Sequence, residues 1–235
     1  MSRWRVSPVL LLIVLVLTHE TSLISQTIPT DPRALSFETL EFDPPSAERH
    51  RHVLSNGVVV FVVEDHTLPL VSVSVTVRTG SYLEPNVKTG LASLTGSQMR
   101  AGGTTTLSAA DFDEEAAFLA AEIGSSIGAT SGRASFNSLT KDLDAALELF
   151  FEMLRYPAFD QSRLELAKSQ SLQRMGRRND STGTIEAREW SRLMRGDEHF
   201  STRAVTRNSL EAITRDDLFV FHEKYYHPGG FIFSV

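Results

Sequence analysis

Residues 70–78 read LVSVSVTVR, and no other run constrains the fold as tightly. Val71, Val73, Val75 and Val77 alternate with Ser72, Ser74 and Thr76, so an extended chain here has one apolar face and one hydroxyl face. β-Branched side chains suit a pleated, half-covered surface. Such a strand needs a packed layer on its valine side and tolerates water on the other. Gly80 ends it. Upstream, Asn56-Gly57 marks a tight turn, because glycine accepts positive φ. The turn leads from a short strand after His52 into residues 58–63, a continuous β-branched and aromatic run of the kind found in buried strands.

After residue 90 the apolar period becomes helical. Residues 90–100 give a modest helix with Leu91, Leu94 and Met99 on one side, stopped by Gly102-Gly103. A second helix starts at Ser108, with Asp111 as its capping partner. Phe112, Ala116, Leu119 and Ile123 form its face, and Gly124 its end. Residues 125–133 and 134–139 read as two short, weakly hydrophobic strands. Residues 142–155 present Leu143, Leu147, Phe150 and Leu154 before Pro157 breaks the helix. A long helix begins near Asp160 and carries Leu164, Ala167, Leu172 and Met175; the polar run 177–184 separates it from a further helix at 185–194. Thr214 and Asp217 open the last helix, with Leu218, Phe221 and Tyr225, and residues 231–235 make a final strand. The order predicts an α+β fold, a two-layer sandwich of a mainly antiparallel sheet with helices on one face.

With 235 residues, 41% of them hydrophobic, the chain has enough apolar surface for a sizeable core. It has no cysteine, which excludes disulfides and thiolate metal sites. A net charge of −6 argues against nucleic acid as a partner and against docking on an anionic membrane. Arg3 and Arg5 precede an apolar run at residues 9–17, the shape of a signal peptide ending near residue 26. The run is short of the ~20 residues a membrane helix needs. The expectation is therefore an exported chain, periplasmic or extracellular, with no stable span once the leader is removed. The competing reading is an uncleaved anchor lengthened by Trp4 and Val6. Residues 27–49 contain four prolines and are expected to form an extended arm anchored by Leu40 and Phe42. The remainder, 50–235, reads as one domain. Its last residues form an apolar strand, which points to a domain boundary within a longer polypeptide.

Candidate chemistry is sparse. Residues 124–128 spell G-x-S-x-G, but a nucleophile elbow needs a strand before it and a helix after it, the reverse of the order expected here. His50 and His52, beside Arg49 and Arg51, read as a solvated basic patch. His222 and His227 flank a helix end, where imidazolium near the C-terminal dipole or simple capping is the reading. Asp111, Asp113, Glu114 and Glu115 suit the first turn of a helix. Arg174, Arg177 and Arg178 read as a solvated helix end, with a grip on a partner's carboxylates as the minority reading. Asn179-Asp180-Ser181 fits a glycosylation sequon, which marks a surface loop.

The ordered set Leu54-Ser55-Asn56-Gly57-Val58, Pro69 to Val75, Gly80-Ser81, Glu84, Thr89-Gly90-Leu91-Ala92 and Gly103-Thr104 resembles the insulinase and mitochondrial-processing-peptidase superfamily of zinc metallopeptidases. Arg203, Thr206, Ser209-Leu210, Ile213 to Leu218, Phe221 and Tyr225-Tyr226-His227-Pro228 extend the likeness, which covers roughly residues 50–235. The resemblance implies the N-terminal, metallohydrolase-like domain of a multi-domain chain. Active members carry His-x-x-Glu-His directly after Gly-Leu-Ala: two histidines hold zinc and the glutamate activates water. Aligned on Gly90-Leu91-Ala92, those positions hold Ser93, Gly96 and Ser97. The third zinc ligand, a downstream glutamate, is due within 170–176, where no acid occurs.

On this reading there is no catalytic residue, no metal ligand and no zinc, and the substrate-binding residues stay unassigned. Degenerate members of this family pair with an active homologue and share a chamber for peptides. The expected role is thus an exported pseudo-peptidase subunit whose partners are an active peptidase homologue and peptide substrates. Two alternatives stand beside it: a metallopeptidase component with its competent site in a further domain, and a stand-alone peptide-binding module.

Overall fold

The valine face of residues 70–77 is covered, as its pattern requires. The computed structural model describes residues 46–235 together with Asp31, Arg33, Leu35, Glu41 and Pro44. The expected leader (1–26), more than half of the arm (27–49) and its anchors Leu40 and Phe42 lie outside the described residues. Residues 47–49, expected in the extended arm, are helical instead. Two compact units divide the chain at residues 44 and 45. In the first, Arg33 pairs with Asp31 at 3.1 Å. All that follows concerns the second.

Six strands make one sheet: β1 (Arg51–Val53), β2 (Val59–Phe61), β3 (Leu70–Val77), β4 (Glu122–Ile127), β5 (Gly132–Leu139) and β6 (Phe231–Ser234). Their order is β1-β2-β6-β3-β5-β4. Every neighbouring pair is antiparallel except β2 and β6, which run parallel with Val60 opposite Phe233. The fold is α+β with a mainly antiparallel open sheet, as the element order implied. β6 enters the middle of the sheet and joins the first hairpin to β3. β2, expected to be fully buried, is half-buried along its length, because only the short edge strand β1 lies beyond it.

On β3, Val73, Val75 and Val77 are buried, and on β5 the matching positions are Ala134 and Phe136. Helices cover this face alone; Ser72, Ser74, Arg133 and Asn137 lie on the open side, where Asn137 donates to Ser72 at 2.7 Å. The helices are α1 (Ala47–His50), α2 (Leu91–Ala101), α3 (Ala109–Phe118), α4 (Leu143–Arg155), α5 (Gln161–Gly176), α6 (Thr182–Arg195), α7 (Arg207–Glu211) and α8 (Arg215–Tyr225). Phe112, Phe136, Phe150, Phe159, Met99 and Met153 fill the space between the layers.

Three expectations change. The helix expected to reach Ile123 stops at Phe118. Ala120 then takes φ 47°, and Ile123 sits in β4 opposite Phe136. Helical spacing there was coincidental: the left-handed Ala120 ends the helix, and residues 122–127 pair with β5 as an edge strand. The strands expected at 125–133 and 134–139 are therefore β4 and β5, joined by a turn at 128–131. The α4 stripe is also rotated, with Ala146, Leu149 and Met153 inside and Leu143 and Leu147 only half-buried.

Candidate functional site

α2, expected as a modest helix, is deeply packed. Seven of its eleven residues are buried, including Thr95, Gly96 and Gln98. Its start is fixed by Glu84, a buried carboxylate that accepts from the backbone N–H of Gly90 at 3.0 Å and of Ala92 at 2.8 Å. Gly90, at φ 107°, makes the turn into the helix, a conformation that costs glycine nothing. Acid at a helix N-terminus complements both the unpaired N–H groups and the dipole. Burial pushes the Glu84 carboxyl up, against the pull of those two N–H groups and of Arg203, and the net direction is upward. Arg100 fastens the other end: its Nε donates to Ile123 O at 3.1 Å, its Nη1 pairs with Asp113 at 2.7 Å, and it lies over the Phe112 ring.

The three positions aligned with the metal motif part company on this helix. Ser93 and Ser97, one turn apart, lie exposed on a cleft between α2 and α5. Ser97 turns its hydroxyl back to Leu94 O at 3.1 Å. Gly96 faces inward onto β4. A Cβ there would fall far inside contact distance of the Ile127 backbone nitrogen and 2.7 Å from the Ser126 carbonyl carbon. Glycine is what lets helix and strand backbones approach so closely. A glutamate at 96 has no room unless α2 and β4 separate.

The cleft has a volume of about 620 Å³. Opposite the two serines, α5 contributes Gln170, Ser171, Arg174 and Met175, and Arg178 follows just past the helix end. Thus the segment expected to bring the third zinc ligand does face the motif positions, and it brings an amide, a hydroxyl and a guanidinium. Hydroxyls are weak zinc donors beside imidazole or carboxylate, and a guanidinium repels the ion. These residues do not fit zinc. Among the described residues, no group of three or more His, Asp or Glu is arranged to hold a metal.

Other candidates are dispersed. Gly124 to Ile127 lie in β4, so G-x-S-x-G has no elbow. His50, at the end of α1, is half-buried and its Nδ1 sits 3.0 Å from Val62 O just past β2, in place of the expected solvated patch, whereas His52 stays exposed. His222 was expected at a helix end, as an imidazolium near the dipole or as a simple cap. It is instead buried, its Nε2 donating to Leu154 O at 2.8 Å, and it stacks on Tyr226. Burial holds its pKa below the usual histidine value, despite that bond and the nearby Glu223. His227 is exposed. Ser108 is the cap: its Oγ accepts the Asp111 N–H at 3.2 Å and its hydroxyl donates to Asp111 Oδ2 at 2.7 Å. Asn179 to Ser181 are exposed, and Asn179 Oδ1 accepts from Arg188.

Two buried, unpaired polar groups escaped the sequence reading, although Arg203 itself was among the residues that carry the family resemblance. Gln98, 3% exposed on the cleft wall, has an Oε1 with no hydrogen-bond partner. Arg203, whose buried Nε is likewise unpaired, lines a second hollow of about 330 Å³ that shares Arg178 and Ala204 with the first. No periodic signal marks a lone Gln or Arg, so only tertiary structure reveals them.

The sequence profile described as Insulinase (Peptidase family M16) matches residues 59–194. No curated protein matches the chain. Among solved structures, the fold is shared with a peptidase M16 inactive domain from Pseudomonas fluorescens, at TM-score 0.73 and 24% identity. It is shared also with a protease from Helicobacter pylori, at TM-score 0.66 and 21% identity. In both comparisons the match covers 78% of this chain and 45% of the other, so this chain spans less than half the length of either.

Proposed function

The chain belongs to the insulinase family, peptidase family M16, and from that premise we propose that it is a non-catalytic, exported member that forms a wall of a peptide chamber beside an active zinc-peptidase partner. One observation carries the reading: the space a general-base carboxylate would need at residue 96 is filled by the backbone of β4. The loss is thus architectural. Restoring the glutamate at 96 meets a packed helix–strand contact. The donor set of the cleft, hydroxyls and guanidinium, supports the same reading. So does the P. fluorescens relative described as an inactive domain.

A partner is supported by α6, which buries none of its residues and leaves Trp190, Leu193 and Met194 exposed at 62%, 75% and 64%. Large aromatic and aliphatic groups on one unburied helix face are the composition of an interface. Export rests on the basic-then-apolar N-terminus, and a further domain rests on the part-length match to the relatives. No helix among the described residues is long and apolar enough to cross a membrane.

The test is reconstitution. The purified chain is mixed with an intact His-x-x-Glu-His homologue from the same source, and both association and peptide cleavage are followed. Cleavage by the homologue that rises on adding this chain, with co-elution of the two, is the expected result. No association with any such homologue, together with cleavage by this chain alone, overturns the proposal.

A further inference from the structure

We propose that the cleft between α2 and α5 is a receptor for a peptide carboxylate. The inference rests on the non-catalytic reading above and deepens it by naming what the former metal position would bind. The lining carries two guanidinium groups, Arg174 and Arg178, and no acid. Arg174 Nη2 donates to Ser171 Oγ at 2.8 Å, and neither arginine has a carboxylate partner among the described residues. The chain as a whole is acidic, at −6, so a cationic hollow in it is a local reversal of sign that attracts anions out of solution.

The rest of the lining selects among anions. Leu94, Ala167, Met175, Val205 and Leu210 give the floor an apolar character that suits a hydrophobic side chain next to the charge, not a small inorganic ion. Ser93 and Gln170 offer neutral hydrogen bonds at the mouth. Gln98 supplies an unsatisfied acceptor on the wall, and the donor it lacks is one that a peptide main chain carries. Arginine forks match carboxylate geometry with two parallel N–H bonds. The lining that excludes zinc thus fits a carboxylate: cation-binding imidazole and carboxylate are replaced by anion-binding guanidinium in the same cleft. A C-terminal carboxylate and an Asp or Glu side chain share this chemistry.

The experiment titrates the full chain with three fluorescent hexapeptides of polyalanine ending in leucine: the free acid, its C-terminal amide, and the amide carrying one internal aspartate. Peptide mass is checked after each titration. The proposal expects the free acid to bind at least about 10-fold more tightly than the plain amide, in line with a charge-assisted pair. It also expects Arg174→Gln and Arg178→Gln each to remove most of that difference, and Arg→Lys to restore part of it. Binding of the aspartate peptide as well as the acid supports a side-chain carboxylate as ligand; binding of the acid alone supports a C-terminus. Both arginines are exposed, so the variants keep the fold, which circular dichroism verifies. Equal affinity for acid and amide, no binding of either, or indifference to both Arg→Gln changes overturns the proposal while the peptide stays intact. Cleaved peptide instead sinks the non-catalytic reading on which it rests.

Discussion

At the scale of single residues, Gly96 and His222 make the sharpest statements. A helix-interior glycine is replaced by alanine with a gain of roughly 1 kcal/mol when only propensity acts. At position 96 a Cβ meets the β4 backbone, so Gly96→Ala is expected to destabilise instead, by about 1–3 kcal/mol, and Gly96→Glu by more. Urea denaturation decides the sign, and a stabilised Gly96→Ala would mean that α2 and β4 are not in close contact. His222 is held neutral by burial, its pKa depressed below the ordinary 6.5. Below that value the unfolded chain takes up a proton that the folded chain refuses. Its contribution is therefore complete above pH 6.5 and is lost as pH falls from there through the depressed folded value. Urea midpoints measured between pH 7 and 5 should fall with acidity, and the fall should be shallower in His222→Gln. The identities Ser93, Gly96 and Ser97 at the aligned positions are read directly off the sequence. That Gly96 is a packing glycine was not legible there, because a missing side chain carries no sign of what fills its place.

At the scale of elements, caps and alternation were legible, and long-range pairing was not. Thr214 and Asp217 announced α8, and the structure closes that box in both directions, with Asp217 also pairing to Lys88 at 2.5 Å. Burial raises the Asp217 carboxyl, but the Lys88 ammonium and Thr214 lower it more, so it ends below its usual value. Thr214→Ala should cost about 1 kcal/mol of stability by loss of the cap. Thermal melting checks this, and an unchanged melting temperature would show the box to be idle. α7 was missed although Thr206 and Ser209 form a capping box, because five residues give no period to detect. The end of α3 was misplaced because its left-handed stop is Ala120, not the glycine such a stop favours. The partnership of β6 with both β2 and β3 joins residues more than 150 positions apart, and local pattern says nothing of such distances.

At the scale of the whole molecule, the domain keeps the insulinase-family frame and changes what its cleft can hold. The central helix is capped by Glu84, packed on the sheet and faced by α5 across a cleft. The walls of that cleft present hydroxyls, amides and guanidinium. The measurement that addresses this most directly combines zinc analysis of the purified, zinc-equilibrated and desalted chain with a peptide-hydrolysis assay run with and without chelator. The account predicts far less than one zinc per chain and no chelator-sensitive cleavage. Near-stoichiometric zinc accompanied by hydrolysis that the chelator abolishes would contradict it.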